Sequence, residues 1–551
     1  MTDVTEARAA TDGSIRSTST DTSDGMGVPD RFAGTARRRF SPLMLAVVLL
    51  SIVLHLWRLG LRPLAHDEAI DANFAWQARA GAVMRYDPVY HGPLRFYLEG
   101  FVLRLFGTTP GWTRLVAALA GIAATFVIAC SVRVLGRIGA PAAALVFAIS
   151  PTVLTVTRTG REDSLVVLVS LALLLVLAQA LVEPRARHIV AAGALLATSF
   201  ALKETTFLFG LAAMCFIVGM LVRAALASNS ESRRALTRLT ALGRQPWMWS
   251  AILFVLVFMF AFTSAFRYAD GFRSGLLDGV RYWWSQHDVR RGSQRWFFYS
   301  TIYVAYEWLL LGLATVGLYV IVRRRSLVGA WFATMALVQF ALYSWAGEKF
   351  AWLAVHPLVP AVLIGGIGTQ AIGERYTGTA RRQLIGATFG LFTVGTVFIG
   401  VRPAITDGAD PRELLVTVQT STDVPTIADR LAAGQRNGTI ETILVDERDG
   451  GSWPWAWYLH SLHGLHGVAY VTADSTALPT GYDAMIVSAA EGPVTVPAGY
   501  TIERFALRRW WLPDYDHVGV GDIARWFATR ETWNPTASSD QYLLIRTTPA
   551  G

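Results

Sequence analysis

Two cysteines in 551 residues, and a charged fraction of only 16%, are the first shortages of this chain. Cys130 and Cys215 both sit inside apolar runs, so they read as small core residues and exclude a disulfide framework. So little charge beside 53% hydrophobic residues excludes an ordinary soluble domain. The mean hydropathy of +0.39 comes from long continuous apolar runs, which is the pattern of an integral membrane protein. No Gly-x-x-x-x-Gly-Lys stretch is present, so no nucleotide-phosphate loop is expected. Internal repeats, common in transporters, are not visible either. The first 35 or so residues are rich in Ser, Thr, Asp and Gly and have almost no apolar content, which predicts a disordered cytoplasmic tail over 1–36 without the apolar region of a secretory signal.

What the chain has in abundance is apolar length. The clearest runs are Ser41 to Trp57, Leu115 to Val134, Pro141 to Thr155, Leu165 to Leu181, Met248 to Phe262, Leu309 to Val322 and Val359 to Ile372. Weaker ones lie at His188 to Leu202, Thr205 to Leu221, Leu327 to Trp345 and Leu384 to Val401. Together they predict about eleven transmembrane helices over 37–402. Arginines cluster before the first run and then at every second boundary: Arg37 to Arg39, Arg133 with Arg137, Arg185 with Arg187, Arg223 with Arg233 and Arg234, Arg323 to Arg325, and Arg381 with Arg382. By the positive-inside rule these ends and the N-terminus are cytoplasmic. The net charge of +9 is largely these arginines, which favours anionic membrane lipids over nucleic acid as the partner.

Beyond Val401 the pattern changes to short pieces. Ile443 to Asp446, Val468 to Val471, Ala484 to Val487 and Tyr542 to Ile545 read as strands, and Val424 to Ala433 and Ile523 to Thr529 as helices. A C-terminal extracytoplasmic α/β domain over 403–551 follows. Its Ser452-Trp453-Pro454-Trp455-Ala456-Trp457-Tyr458 segment fits either core and interface packing or a stacking surface for a sugar, and the spacing does not decide.

The unusual polar residues fall on the outer side. His66, Asp67, Glu68 and Asp71 follow the first span, and Ala69 to Ala80 and Pro93 to Phe106 suit helices lying along the surface. Carboxylates at the edge of a bilayer are costly and point to function, although Asp67 and Glu68 would also suit a helix N-terminus. Tyr90, His91 and Arg95 crowd the same loop. Arg158 to Asp163 interleaves Arg161 with Glu162 and Asp163, which is either a self-neutralising cluster or a second wall of the same cavity. Two carboxylates there are able to hold a divalent cation, the one cofactor candidate, although hard cations want more oxygen ligands than the sequence assigns. Lys203 is suited to a phosphate or to its neighbour Glu204. The Phe266 to Tyr299 loop mixes aromatics with Arg290 and Arg291, whose forks suit a lipid phosphate. Glu348, Lys349 and, further on, His356 complete the outer set.

Four segments then carry a family resemblance: His66-Asp67-Glu68-Ala69, Tyr90-His91-Gly92-Pro93, Gly347-Glu348-Lys349 with Trp352, and Ser452-Trp453-Pro454 with Trp457-Tyr458. The chain resembles the membrane glycosyltransferases that use polyprenyl-phosphate sugars, the GT-C family of protein O-mannosyltransferases and aminoarabinose transferases, and most closely the subgroup of flippase-activity-associated membrane proteins. The resemblance implies a mainly α-helical GT-C-like membrane domain and a soluble outer domain. It maps the catalytic carboxylate onto Asp67, with Glu68 supporting it. It implies transfer of a sugar from a polyprenyl-phosphate donor to a protein, lipid or glycan acceptor. In that reading Asp67 takes the acceptor's proton while Lys203 and the loop arginines stabilise the leaving phosphate. A lipid-linked-sugar flippase, or an accessory to one, is the alternative.

Overall fold

The computed structural model describes residues 41–227, 230–285, 289, 292, 294–462, 467–490 and 492–547. Seven helices in it are long and apolar enough to cross a membrane, or eight when the bent pair Phe298–Tyr306 and Trp308–Arg324 counts as one. Three shorter apolar helices, Pro42–Leu56, Leu115–Ala129 and Ala186–Leu202, bring the set to the number read from the sequence. The protein is a multi-pass membrane protein. The Leu327–Trp345 helix ends where the apolar run does. Wide apolar faces are left outward, as lipid contact requires: Leu391, Val394 and Phe398 of Thr379–Val401 are 72%, 68% and 72% exposed.

One predicted span is corrected. The Pro141 to Thr155 run is broken at Ser150, which ends Val132–Ile149 and caps the short Pro151–Thr157 helix, its Oγ accepting the Val153 N–H at 3.2 Å. A Ser before a Pro at the first helical position is a strong helix start. The break is tied to the corner of the bent pair. Glu307, between the two bent helices, accepts the Ser150 hydroxyl at 2.7 Å and the Thr152 N–H at 3.0 Å. The cysteine reading is corrected too. Cys130 and Cys215 form no disulfide and lie on exposed faces of the helical domain, because short apolar side chains are as well placed against lipid as in a core.

The amphipathic segments after the first span form His66–Arg79 and Leu94–Phe106, packed against each other. The C-terminal part is a six-stranded sheet: β1 (Gln419–Thr420), β2 (Ile443–Asp446), β3 (Val468–Val471), β4 (Ala484–Ser488), β5 (Tyr500–Trp510) and β6 (Ala537–Arg546), in the order β1-β5-β6-β4-β2-β3. The β2/β3 and β2/β4 pairs are parallel and the others antiparallel. Val445, Ile486 and Leu543 pack with Val424, Ile427 and Leu431 of the Asp423–Arg436 helix.

The Trp-rich segment resolves into core packing. Trp455 is fully buried and donates its indole N–H to Gln541 at 2.8 Å. Trp457, 2% exposed, packs on Leu64, Ala69, Ala72 and Ala75, and the Tyr458 hydroxyl accepts the Leu64 N–H at 2.9 Å. The segment is therefore the wedge that fixes the sheet domain onto the His66–Arg79 helix.

Candidate active site

A cavity of about 600 Å³ lies where four segments converge. Its walls are Arg62, Ala65 and Asp67 from the first loop; Thr159, Arg161 and Asp163 from the second; Ala351 and Trp352 from the Glu-Lys loop; and the backbone from Leu415 to Gln419 leading into the sheet. Thr152 and Thr155, just past the Ser150 break, complete it. The Thr155 hydroxyl is buried without a hydrogen-bond partner among the described residues, and Arg161 Nε and Asp163 Oδ2 face each other at 3.6 Å, an ion pair too long for a hydrogen bond, so the lining keeps some polar capacity.

Adjacent residues Asp67 and Glu68 have opposite fates. The Glu68 side chain is 1% exposed and receives five hydrogen bonds: from Arg114 Nε at 2.7 Å and Nη2 at 2.8 Å, Arg62 Nη2 at 3.2 Å, and the N–H groups of Ala65 at 2.9 Å and Gly160 at 2.6 Å. Arg114 spends its remaining N–H groups on the carbonyls of Leu59, Arg62 and Pro63 at 3.0, 2.9 and 3.0 Å. All five guanidinium donors are thus used. Burial alone would raise the Glu68 carboxyl, but Arg114 and Arg62 outweigh it and hold it at about 2. Helix capping is therefore the role of Glu68, which also locks the loop. Asp67, one residue earlier, turns to the cavity with its side chain 37% exposed and accepts a bond from Arg161.

Behind the cavity wall lies a buried network of alternating charge. Arg161 pairs with Glu162 at 3.1 Å and Asp163 at 3.6 Å, and its guanidinium stacks 4.8 Å over the Trp352 ring. Lys203 donates to Glu162 and Asp163, both at 2.7 Å. These two carboxylates outweigh the effect of burial and raise its pKa, so Lys203 stays charged. It does not line the cavity. Arg95 bridges Asp71 at 2.8 Å and Glu162 at 2.9 Å. His356 meets Asp163 at 3.0 Å and stacks on Tyr343. His91 reaches Glu204 at 2.8 Å and Glu162 at 3.5 Å, and Glu204 also accepts the Tyr86 hydroxyl at 2.7 Å.

The remaining predicted residues are scattered. His66 sits beside the Gly450 turn of the sheet domain, and burial holds its imidazole down at about 4, against the pull of Asp67, so it is neutral. Lys349 is buried and donates to the Ala346 carbonyl, while Glu348 is half-buried in the same loop and outside the cavity lining. Arg290 and Arg291 lie outside the described residues. Arginine and lysine take up the oxygens of Asp67, Glu162 and Asp163, and among the described residues no group of three or more His, Cys, Asp or Glu is placed to hold a metal ion.

The Tyr90-His91-Gly92-Pro93 motif has a steric basis. His91 adopts φ +66°, and Gly92 is pressed so closely on the end of Ala186–Leu202 that a Cβ would lie 1.8 Å from the Ala201 carbonyl oxygen. Gly92→Ala is expected to push this loop outward and separate His91 from Glu162 and Glu204. The expected cost is about 1–3 kcal/mol, read as a lowered melting temperature of the purified protein.

Two charged residues of the site escaped the sequence reading, Arg62 and Arg114, as did the cavity threonines Thr152 and Thr155. Arg114 offered a signal: it begins the Leu115–Ala129 helix at a boundary which the positive-inside pattern leaves without arginine.

A helical membrane domain with surface helices after its first span, a charged cavity at one face and an α/β domain over that cavity is the GT-C fold of membrane glycosyltransferases. Residues 90–260 match the family model described as dolichyl-phosphate-mannose-protein mannosyltransferase. Among solved structures the chain is similar to ArnT from Cupriavidus metallidurans bound to undecaprenyl phosphate, at 16% identity over 76% of this chain and 75% of that one, with a TM-score of 0.50. The oligosaccharyltransferase of Archaeoglobus fulgidus aligns at 10% identity over 78% of this chain and 64% of that one, with a TM-score of 0.49. The Pmt1-Pmt2 protein O-mannosyltransferase complex of S. cerevisiae bound to the sugar donor aligns at 18% identity over 40% of this chain and 34% of that one, with a TM-score of 0.32. No curated protein matches the chain in sequence.

Proposed function

We propose that the protein transfers a sugar from a polyprenyl-phosphate donor to an acceptor in this cavity, with Asp67 as general base and the cavity face extracytoplasmic. The observation that carries the reading is the contrast between Asp67 and Glu68: of two neighbouring carboxylates, one is consumed by structure and the other is held at the cavity wall beside arginine. Undecaprenyl phosphate bound to ArnT supports the donor class.

The acceptor hydroxyl or amine gives its proton to the Asp67 carboxylate as its oxygen or nitrogen bonds to the anomeric carbon. The bond from that carbon to the phosphate oxygen breaks, and the electron pair leaves with the polyprenyl phosphate, inverting the centre. Arg161 and Arg62 are the cavity guanidiniums suited to grip the phosphate through two N–H groups at once. Lys203, behind Glu162 and Asp163, holds the wall in register, as do Arg95, His91 and His356.

The test is direct: purified protein is incubated with a panel of synthetic polyprenyl-phosphate sugars and candidate acceptors, and glycosylated product is measured by mass spectrometry. Turnover of at least one donor is expected, with inverted anomeric configuration. Movement of lipid-linked sugar across proteoliposomes without any transfer would replace this reading by the flippase one.

A further inference from the structure

A second pocket of about 330 Å³ opens at the other end of the same helices. The Asp163–Val182 helix starts at the active-site cavity and, after 20 residues, ends at this pocket, a rise of about 30 Å and so the depth of a bilayer core. The Ala186–Leu202 helix runs back from the pocket to Lys203.

The rim carries three arginines, Arg133, Arg185 and Arg187, against one carboxylate, Glu183. Glu183 is engaged by Arg185, with Nε at 3.1 Å, whereas Arg133 and Arg187 have no ion-pair partner among the described residues. At the base lies His188, only 7% exposed, with its imidazole beside the Glu183 backbone. Arg238 of the Glu231–Thr240 helix closes the edge by donating to the Val182 carbonyl at 2.7 Å. Val134 and Val182 supply the apolar part of the lining beside the polar Gln179, and Val182, at the end of its apolar helix, is 51% exposed.

A surplus of positive charge from two arginines without ion-pair partners among the described residues, an imidazole at the base and an exposed valine at the end of an apolar helix together fit one class of ligand. We propose that this pocket binds the phosphate of an anionic phospholipid head group, with Arg133 and Arg187 pairing to the phosphate oxygens, the His188 imidazole bonding from below and the acyl chains lying along Val182. A free phosphate would satisfy the same nitrogens but would leave Val182 uncovered. The site is independent of the transfer reaction.

The test uses the full-length protein in nanodiscs of equal parts phosphatidylglycerol and phosphatidylcholine, with lipids retained after extraction counted by native mass spectrometry. Wild type should retain phosphatidylglycerol selectively, and R133Q/R187Q should lose about tenfold or more of that retention, with its melting temperature unchanged. A control on the same face outside the pocket, R323Q/R381Q, should retain lipid as wild type does. Equal retention by R133Q/R187Q, or an equal loss in the control, overturns the site. Displacement of the lipid by a matched amount of inorganic phosphate overturns its assignment to a lipid.

Discussion

Asp67→Asn is expected to lower sugar transfer by about 10²- to 10⁴-fold, the usual worth of a positioned general base. Asparagine keeps the volume of aspartate and one acceptor oxygen for Arg161, so cavity shape and donor binding should survive. What it loses is the capacity to take a proton. The accompanying stability change should be small, within about 1 kcal/mol, because a side chain that is 37% exposed forms a largely screened ion pair. Initial rates at saturating donor, beside a thermal melt of the same preparation, separate the two effects. Arg161→Gln should instead raise the KM for donor as well as lower kcat, since it removes a phosphate grip together with the partner of Asp67. A variant Asp67→Asn that transfers sugar at more than about a tenth of the wild-type rate would remove Asp67 from the base role.

The asymmetry behind that expectation is invisible in the sequence. Asp67 and Glu68 look alike as text, and the reading that carboxylates there cap a helix is correct for one of them only. Glu68 is chosen because Arg114, 46 residues later, reaches it from the first turn before Leu115–Ala129. Pairings of this range follow from helix packing, which hydropathy does not encode. What is legible is whatever depends on local composition. Apolar runs ending on charged residues give the helices, as in Leu327–Trp345, and short continuous apolar runs give β2 and β3 to the residue. The Ser150 break is missed because both flanking segments are equally apolar, although the Ser-Pro pair marks it. β5 is missed because its Arg504, Arg508 and Arg509 interrupt the apolar alternation. Lys203 illustrates a third limit. A buried lysine is rightly flagged as costly, but its partners prove to be Glu162 and Asp163, two carboxylates about forty residues earlier, and it stands outside the cavity lining.

Glu68→Ala should be the most destabilising single change in the site, at about 3–5 kcal/mol, because it strands the Arg114 guanidinium, 1% exposed, without its counter-charge. Arg114→Ala should cost a similar amount for the reciprocal reason. The double variant should cost distinctly less than the two single effects added together, since each single change already forfeits the same pair. The pH dependence follows from the Glu68 carboxyl, held at about 2 against an ordinary value of 4.5. A depressed carboxyl contributes stability that is fully present above its unfolded value and is lost as the pH falls through its folded one. Here that contribution is about 3 kcal/mol at neutral pH, disappearing between 4.5 and 2. Glu68→Gln cannot titrate and lacks this term, so the gap in melting temperature between wild type and Glu68→Gln should be wide at neutral pH and narrow progressively below pH 4.5. A gap that stays constant down to acid pH would mean that Glu68 is not the ionised anchor of the loop, and the contrast that frees Asp67 for chemistry would lose its basis.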